Sequence, residues 1–313
     1  MKFEERINAN RSIEKREKES TFEVPTIDIV RHGETEYKEL SNPNFKLDTD
    51  APDFALDAKH LDLTEEGIKN LYETAEQLAS RIDKENEAVL LVTSPQFRAM
   101  SSMLIIERVF AEHGIIMLNS TAKKDTGKSK GIKTSALGLG QIPIRESLKS
   151  EGFAKTWLSA HKQYREGHPE AKNKPPVEVH GLVAATLGKK LSEIFSRSHD
   201  DMATGFERFL RHAINIERYL QDETKEQLEG RKLRIVSVTH EERVMEFAKK
   251  SLALDKTVAK GQLLEIKPQG FLEKNGEIDA KISLYEKNGE PDLSSNVKMK
   301  FSQKGLSVEP KEL

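Results

Sequence analysis

Cysteine is absent from all 313 residues, which excludes disulfides, thiolate metal centres and cysteine nucleophiles. Long apolar runs are absent too: no window approaches the roughly 18 apolar residues that a membrane-crossing helix needs. The opening stretch, MKFEERINANRSIEKREKES, has no apolar core of the kind a secretory signal carries. An excess of one charge is also missing. Charged residues make up 33% of the chain, yet the formal net charge is only -2. That balance points to neither nucleic acid nor a membrane surface as a partner. The expectation is a soluble, cytoplasmic protein.

Along the chain, residues 1–22 are almost wholly polar and charged and read as a peripheral extension. TIDIV is a short apolar run that stops at Arg31-His32-Gly33-Glu34-Thr35. LTEEGIKNLYETAEQLASRI predicts an amphipathic helix capped by Thr64, with Leu71, Ala75, Leu78 and Ile82 on one face. AVLLVTSP and LRIVSVTH read as strands buried on both faces, and IIML at 115–118 as a further short strand. Strands alternating with helices through the first 260 residues predict an α/β fold around a mostly parallel sheet. Beyond about residue 262 the pattern changes to short alternating strands such as KISLY and VKMKF. EKNGE occurs twice there, and each Asn-Gly pair predicts a tight hairpin turn. These C-terminal strands are expected either to cover a sheet edge or to form a homodimer contact.

In open α/β sheets, ligands bind beyond the carboxyl ends of the strands. Three predicted strands end in DIVRHG, LLVTSPQFRA and IVSVTHEE. Parallel pairing would bring Arg31, His32, Arg98 and His240 to one edge, although they are far apart in sequence. Two arginines and two histidines around one point suit an anion, and the planar fork of arginine matches phosphate oxygens. Gly33 would allow close backbone approach and offer its N–H. The other seven histidines, among them His60, His180 and His212, have no such context and lack zinc-site spacing. Neither a metal nor a cofactor is expected.

These marks resemble the histidine phosphatase superfamily, also called phosphoglycerate mutase-like. The hallmark RHG[ET] is matched by residues 31–35, and the LT..G helix start by Leu63, Thr64 and Gly67. TSPQFRA at 93–99 matches SSP..RA, PIRESL supplies a glutamate, Glu146, and VSVTH ends in the second histidine, His240. The resemblance spans about residues 24–265. It implies a three-layer αβα catalytic domain over 23–265, a helical cap at about 150–205, and a C-terminal β extension over 266–313 packed on the same domain.

The resemblance further implies a metal-independent phosphatase acting on a small phosphorylated substrate. His32 would attack phosphorus and carry the phosphoryl group, which requires it to be neutral. Arg31, Arg98 and His240 would hold the phosphoryl oxygens, and Glu146 would protonate the leaving group and then activate water. Glu241, directly after the second histidine, and Glu34 are the alternative acids. Two other functions stay open: a phosphomutase, and a catalytically silent module binding phosphorylated ligands or proteins. Mutases of the family continue RHG.S.WN, whereas Tyr37 and Lys38 occupy the Trp-Asn positions here, which favours the phosphatase. The cap should contain Trp157, His161, Tyr164, Arg165 and Lys172. In the lysine-rich stretch 119–138, DTGKSKG is not a P-loop, because Ala122 stands where that motif needs glycine. Lys123, Lys124, Lys128, Lys130 and Lys133 either hang over the pocket or belong to a solvated insertion.

Overall fold

The computed structural model describes residues 24–311 except 43, 50, 52, 120–131, 135–138, 142–144, 146, 149–151, 175, 217–221, 255–256, 274, 287–289 and 303–304. The N-terminal extension, Lys123, Lys124, Lys128, Lys130, Glu146 and the second Asn-Gly pair therefore lie outside the described residues. In chain order the first elements are β1 (Thr26–Arg31), α1 (Lys38–Ser41), α2 (Glu65–Ala79), β2 (Glu87–Thr93), α3 (Phe97–Glu112) and β3 (Lys133–Thr134). A helical stretch follows: α4 (Phe153–Gly167), α5 (Pro176–Thr186), α6 (Leu191–Ile194), α7 (His199–Ile214) and α8 (Asp222–Leu228). Then come β4 (Lys232–Thr239), α9 (Glu241–Leu252), β5 (Leu263–Pro268), β6 (Glu277–Tyr285), β7 (Pro291–Ser302) and β8 (Gly305–Pro310).

All eight strands join one sheet in the order β3-β2-β4-β1-β5-β6-β7-β8. The chain is α/β as expected, but the sheet is mixed rather than mostly parallel. The pairs β3·β2, β2·β4 and β4·β1 are parallel, while β1·β5, β5·β6, β6·β7 and β7·β8 are antiparallel. Beyond β5 the reason is connection length. A parallel return needs a crossover of about a dozen residues or more, and the links after β5 are all shorter. The C-terminal strands thus extend the sheet from β1 outward. The first Asn-Gly pair sits in the link between β5 and β6, where Gly276 takes φ +81° and Gly276 N–H donates to the Glu273 carbonyl at 2.9 Å. The expected strand at 115–118 shrinks to a single bridge, Val89 to Met117. Its continuation is a side chain: Asn119 accepts from Leu91 N–H at 2.9 Å and donates to the Leu91 carbonyl at 2.8 Å, mimicking a strand residue.

Alternation along β1 divides the core. Ile27 and Ile29 enter one apolar cluster with Phe206, Val244 and Phe247, and Val30 enters another with Leu71, Leu78, Met103 and Ile106. A third cluster, around Trp157, Val179, Val183 and Phe195, holds helices α4 and α5 and the segment after α6 together, where the cap is expected. Two charges interrupt the central strands. Asp28 of β1 is fully buried and bonded to Arg234 of β4 at 2.6 and 3.1 Å, with Glu265 of β5 joining at 2.8 Å. Buried ions persist only when paired and hydrogen-bonded in this way.

Candidate active site

The register of the parallel strands places the site. Arg31 pairs with Thr239 across β1 and β4, and Thr93 with Val238 across β2 and β4. Just past the strands, His32 N–H still donates to the Thr239 carbonyl at 3.0 Å, and Ser94 N–H to the Val238 carbonyl at 3.0 Å. His32, Ser94 and His240 therefore leave three neighbouring strands side by side. Helix α3 begins at Phe97, so Arg98 lies in its first turn, where it is 1% exposed. Helix α9 starts immediately after His240, placing Glu241 at its first position.

The Gly-Glu-Thr that follows His32 is a matter of close packing. Gly33 N–H donates to Ser102 Oγ of α3 at 3.1 Å, and a Cβ at Gly33 would lie 2.6 Å from Leu71 Cδ1. From the other side, Gly67 in the first turn of α2 leaves room for the Glu34 carbonyl, which a Cβ there would approach to 2.2 Å. Thr64 caps α2 by accepting from Gly67 N–H at 3.0 Å, and its own N–H donates to the Glu34 carbonyl at 3.0 Å. Thr35 donates to the buried carboxylate of Asp62 at 3.0 Å, and Lys38 N–H donates to the same oxygen at 2.6 Å. The turn after His32 is therefore held between α2 and α3 at backbone precision.

Both histidines are buried and neutral. Burial first, and then the charges of Arg98 and Arg31, hold the His32 imidazole well below its ordinary range. Its Nδ1 lies 2.8 Å from the Gly33 carbonyl and so carries the proton, while Nε2 faces Arg98 Nε at 3.4 Å with its lone pair. His240 is held low by burial and then by Arg98 and His32. Arg98 Nη2 lies 3.3 Å from its Nδ1, so the proton sits on Nε2, which faces Ser94 Oγ at 2.8 Å and Gln96 Oε1 at 3.2 Å. The two rings stand edge to face with centroids 5.0 Å apart.

Arg98 is the hub. It bonds both histidines and Gln141, while Nη1 has no hydrogen-bond partner and lies 3.9 Å from Glu39 Oε2. The ring of Tyr37 is centred 5.4 Å from its guanidinium carbon. Arg31 donates to the Val258 carbonyl and pairs with Glu241 Oε2 at 2.7 Å, leaving its buried Nε unpartnered. Glu241 Oε1 is likewise buried without a partner.

The structure thus gathers Arg31, His32, Gly33, Arg98, His240 and Glu241. Glu34 lies slightly outward, ion-paired with Lys260 on the wall of an adjoining cleft of about 420 Å³. Of the cap residues, Trp157 is buried against His180 and Phe195, Tyr164 stacks on His168, and Arg165 reaches that cleft. The side chain of Lys172 lies outside the described ones, and Lys133 is exposed in β3. Sequence reasoning missed Gln96, Gln141, Glu39 and Lys260. Gln96 sits inside the quoted TSPQFRA stretch, two residues before Arg98, and that proximity was a usable signal. Lys260 lies in the link before β5, whose antiparallel direction starts the strand at this same edge. Among the described residues no group of His, Asp and Glu side chains is arranged to hold a metal ion, and no helix is long and apolar enough to cross a membrane.

No family model matches the chain, and no curated protein matches it. Among solved structures, a mycobacterial glucosyl-3-phosphoglycerate phosphatase with inorganic phosphate is similar at 13% identity, over 78% of this chain and 90% of that one, with a TM-score of 0.36. The phytase of Klebsiella sp ASR1 is similar at 11% identity over 92% and 91%, with a TM-score of 0.35. The phytase from Citrobacter braakii is similar at 10% identity over 92% and 95%, with a TM-score of 0.38. Likenesses this distant decide nothing about the present chain, and the chemistry of the pocket has to do so.

Proposed function

We propose that this chain is a phosphatase of the histidine phosphatase superfamily, with the sheet as the middle of three layers, and that it hydrolyses phosphomonoesters through a phosphohistidine on His32. The observation that carries the proposal is the state of His32. It is buried and neutral, its Nδ1 proton goes to the Gly33 carbonyl, and its Nε2 lone pair is beside the Arg98 guanidinium. A neutral imidazole beside two arginines is a nucleophile waiting for an anion. An incoming phosphoryl group takes the place of the long Arg98 contact on Nε2. Phosphorus then bonds to Nε2 as the ester P–O bond breaks, and the leaving oxygen takes a proton.

The unpartnered Arg98 Nη1 and Arg31 Nε supply donors to the equatorial oxygens, where charge shifts in the transition state. His240, with Nε2–H turned to Ser94 Oγ and Gln96 Oε1, acts by holding the Arg98 guanidinium through Nδ1. Water then attacks phosphorus, releasing phosphate and restoring His32. Glu241 is supported as the acid–base group by its position: pairing of Oε2 with Arg31 favours the carboxylate that takes a proton from the attacking water, and the unpartnered Oε1 is where that proton is held and given to the leaving oxygen. Glu146 and Glu34 are the alternatives.

The test is hydrolysis of p-nitrophenyl phosphate in excess EDTA, comparing wild type with His32→Ala. EDTA-resistant turnover that disappears in His32→Ala supports the reading, as does acid-labile phosphate on the quenched wild-type enzyme. Turnover that survives His32→Ala would overturn it. Comparing Glu241→Gln with Glu146→Gln then assigns the acid. The correct variant loses alkyl phosphates far more than p-nitrophenyl phosphate, whose leaving group needs no proton.

A further inference from the structure

Arg31 of the histidine site also lines the cleft of about 420 Å³, within the range of small-molecule sites (~300–1,000 Å³). That is far more room than one phosphoryl group requires. Most sites of this size are lined by apolar and aromatic side chains, but this one has none. Its walls are three cations, Arg31, Arg165 and Lys260, together with Glu34, Glu66, Asn70 and Thr257. An acyl chain would find no apolar side chain to pack against here.

The cations come from separate elements. Arg31 ends β1 and is shared with the phosphoryl site, Arg165 comes from the cap helix α4, and Lys260 from the link before β5. Lys260 is engaged with Glu34, whereas Arg165 has no hydrogen-bond or ion-pair partner among the described residues although it is half-buried. On the opposite wall Glu66 accepts from Asn70 at 3.0 Å, one turn apart along α2. A carboxylate, an amide and a hydroxyl are the groups that recognise a ligand's hydroxyls, because each can accept or donate in a fixed direction.

We infer that the cleft receives a polyhydroxylated phosphomonoester carrying a second anionic group, with Arg165 and Lys260 holding that second anion and Glu66 with Asn70 reading the hydroxyls. The inference rests on the phosphatase reading for which phosphate is cleaved, and on the cleft alone for what lies beside it. The cap is then the specificity element, since it contributes the one cation that has no other engagement.

The experiment uses two probes differing by one anionic group, glucose 1,6-bisphosphate and glucose 6-phosphate, with wild type, Arg165→Met and Lys260→Met. Methionine keeps the apolar stem of each side chain and removes the charge. Wild type should favour the bisphosphate in kcat/KM by about tenfold or more, the scale of one charge-assisted contact. Each variant should compress that ratio towards one, chiefly through KM. A wild-type ratio near one, or a ratio unchanged in both variants, overturns the assignment. Should wild type hydrolyse neither ester, p-nitrophenyl phosphate turnover still decides the phosphatase reading, and calorimetric titration with the same two sugars decides the cleft. A tenfold tighter bisphosphate keeps the assignment, and equal binding removes it.

Discussion

Lowering the pH from 7 to 5 should cost this protein a large part of its folding stability, and the cost can be worked out from three histidines. His32 and His240 are held well below their ordinary range by burial and nearby arginines, and His161 is pushed down to about 3 by burial, His180 and Arg165. In the unfolded chain each would titrate near 6.5. A depressed folded pKa means the unfolded state binds the extra proton. The stabilisation is therefore complete above about 6.5 and is lost as the pH falls below it. Linkage gives on the order of 2 kcal/mol per histidine between pH 7 and 5, or about 6 kcal/mol for the three. That is comparable to the whole stability of many domains, about 5–15 kcal/mol. Asp28 and Asp62, both raised chiefly by burial, work in the opposite sense when the pH enters their range, so the figure is a ceiling. The assay is urea unfolding at pH 7, 6 and 5 in phosphate-free buffer. Circular dichroism follows the whole chain, and the single tryptophan, Trp157, follows the cap. His161→Gln should remove about a third of the acid loss, without which the cap signal and the global signal both shift. Stability that stays level or rises from pH 7 to 5 refutes the reasoning.

Arg98→Met should lower kcat by about 10²–10³-fold, the usual effect of removing one donor to a developing oxyanion. It should leave the melting temperature near that of wild type, because the lost group is a buried charge with one nitrogen unpaired. The imidazole of His32 should then titrate higher, which proton NMR reads directly, since the Arg98 charge is one of the causes holding it down. Gly67→Ala should cost about 1–3 kcal/mol by overpacking, because the new Cβ meets the Glu34 backbone rather than a side chain that can move. Activity should fall with it, as the turn bearing His32 is displaced; thermal melts and p-nitrophenyl phosphate turnover measure the two effects.

Arg31, His32, Arg98 and His240 were legible because each follows an apolar run that stops abruptly, and parallel strands must end on one edge. The cap of α2 was legible for a similar reason: Thr64 precedes a clean helical stripe, and Gly67 is the one residue type that lets Glu34 approach. The sheet was half legible. LLEI at 263–266 announces a buried strand, but an apolar run does not state its direction: the long connection through α9 allows either, and the short links after β5 force only its successors to alternate. That direction is what carries Lys260 to the active edge. The Asp28–Arg234 pair had a signal that went unused, since TIDIV and LRIV are each interrupted by one charge of opposite sign, near the same height in the register. Gln96 was marked only by its place two residues before Arg98, and Gln141 was not legible, because a glutamine in a polar link carries no mark of what it will face.

The unpaired atoms of the site explain one another. Arg31 Nε, Arg98 Nη1 and Glu241 Oε1 are all buried without a partner, and an unsatisfied buried polar group costs about 1–3 kcal/mol. Several such groups around one histidine pair form a set that an incoming anion can complete. A phosphoryl group offers acceptor oxygens to the two arginines, and a leaving-group oxygen gives the glutamate something to protonate. The same arginines keep both imidazoles neutral, so the pocket is cationic without protonating its own nucleophile. Positive charge for binding and a free lone pair for attack are conflicting demands on a histidine, and here they are assigned to different residues. On the proposed mechanism Arg31 and Arg98 supply the charge, and His32 is left free to supply the bond.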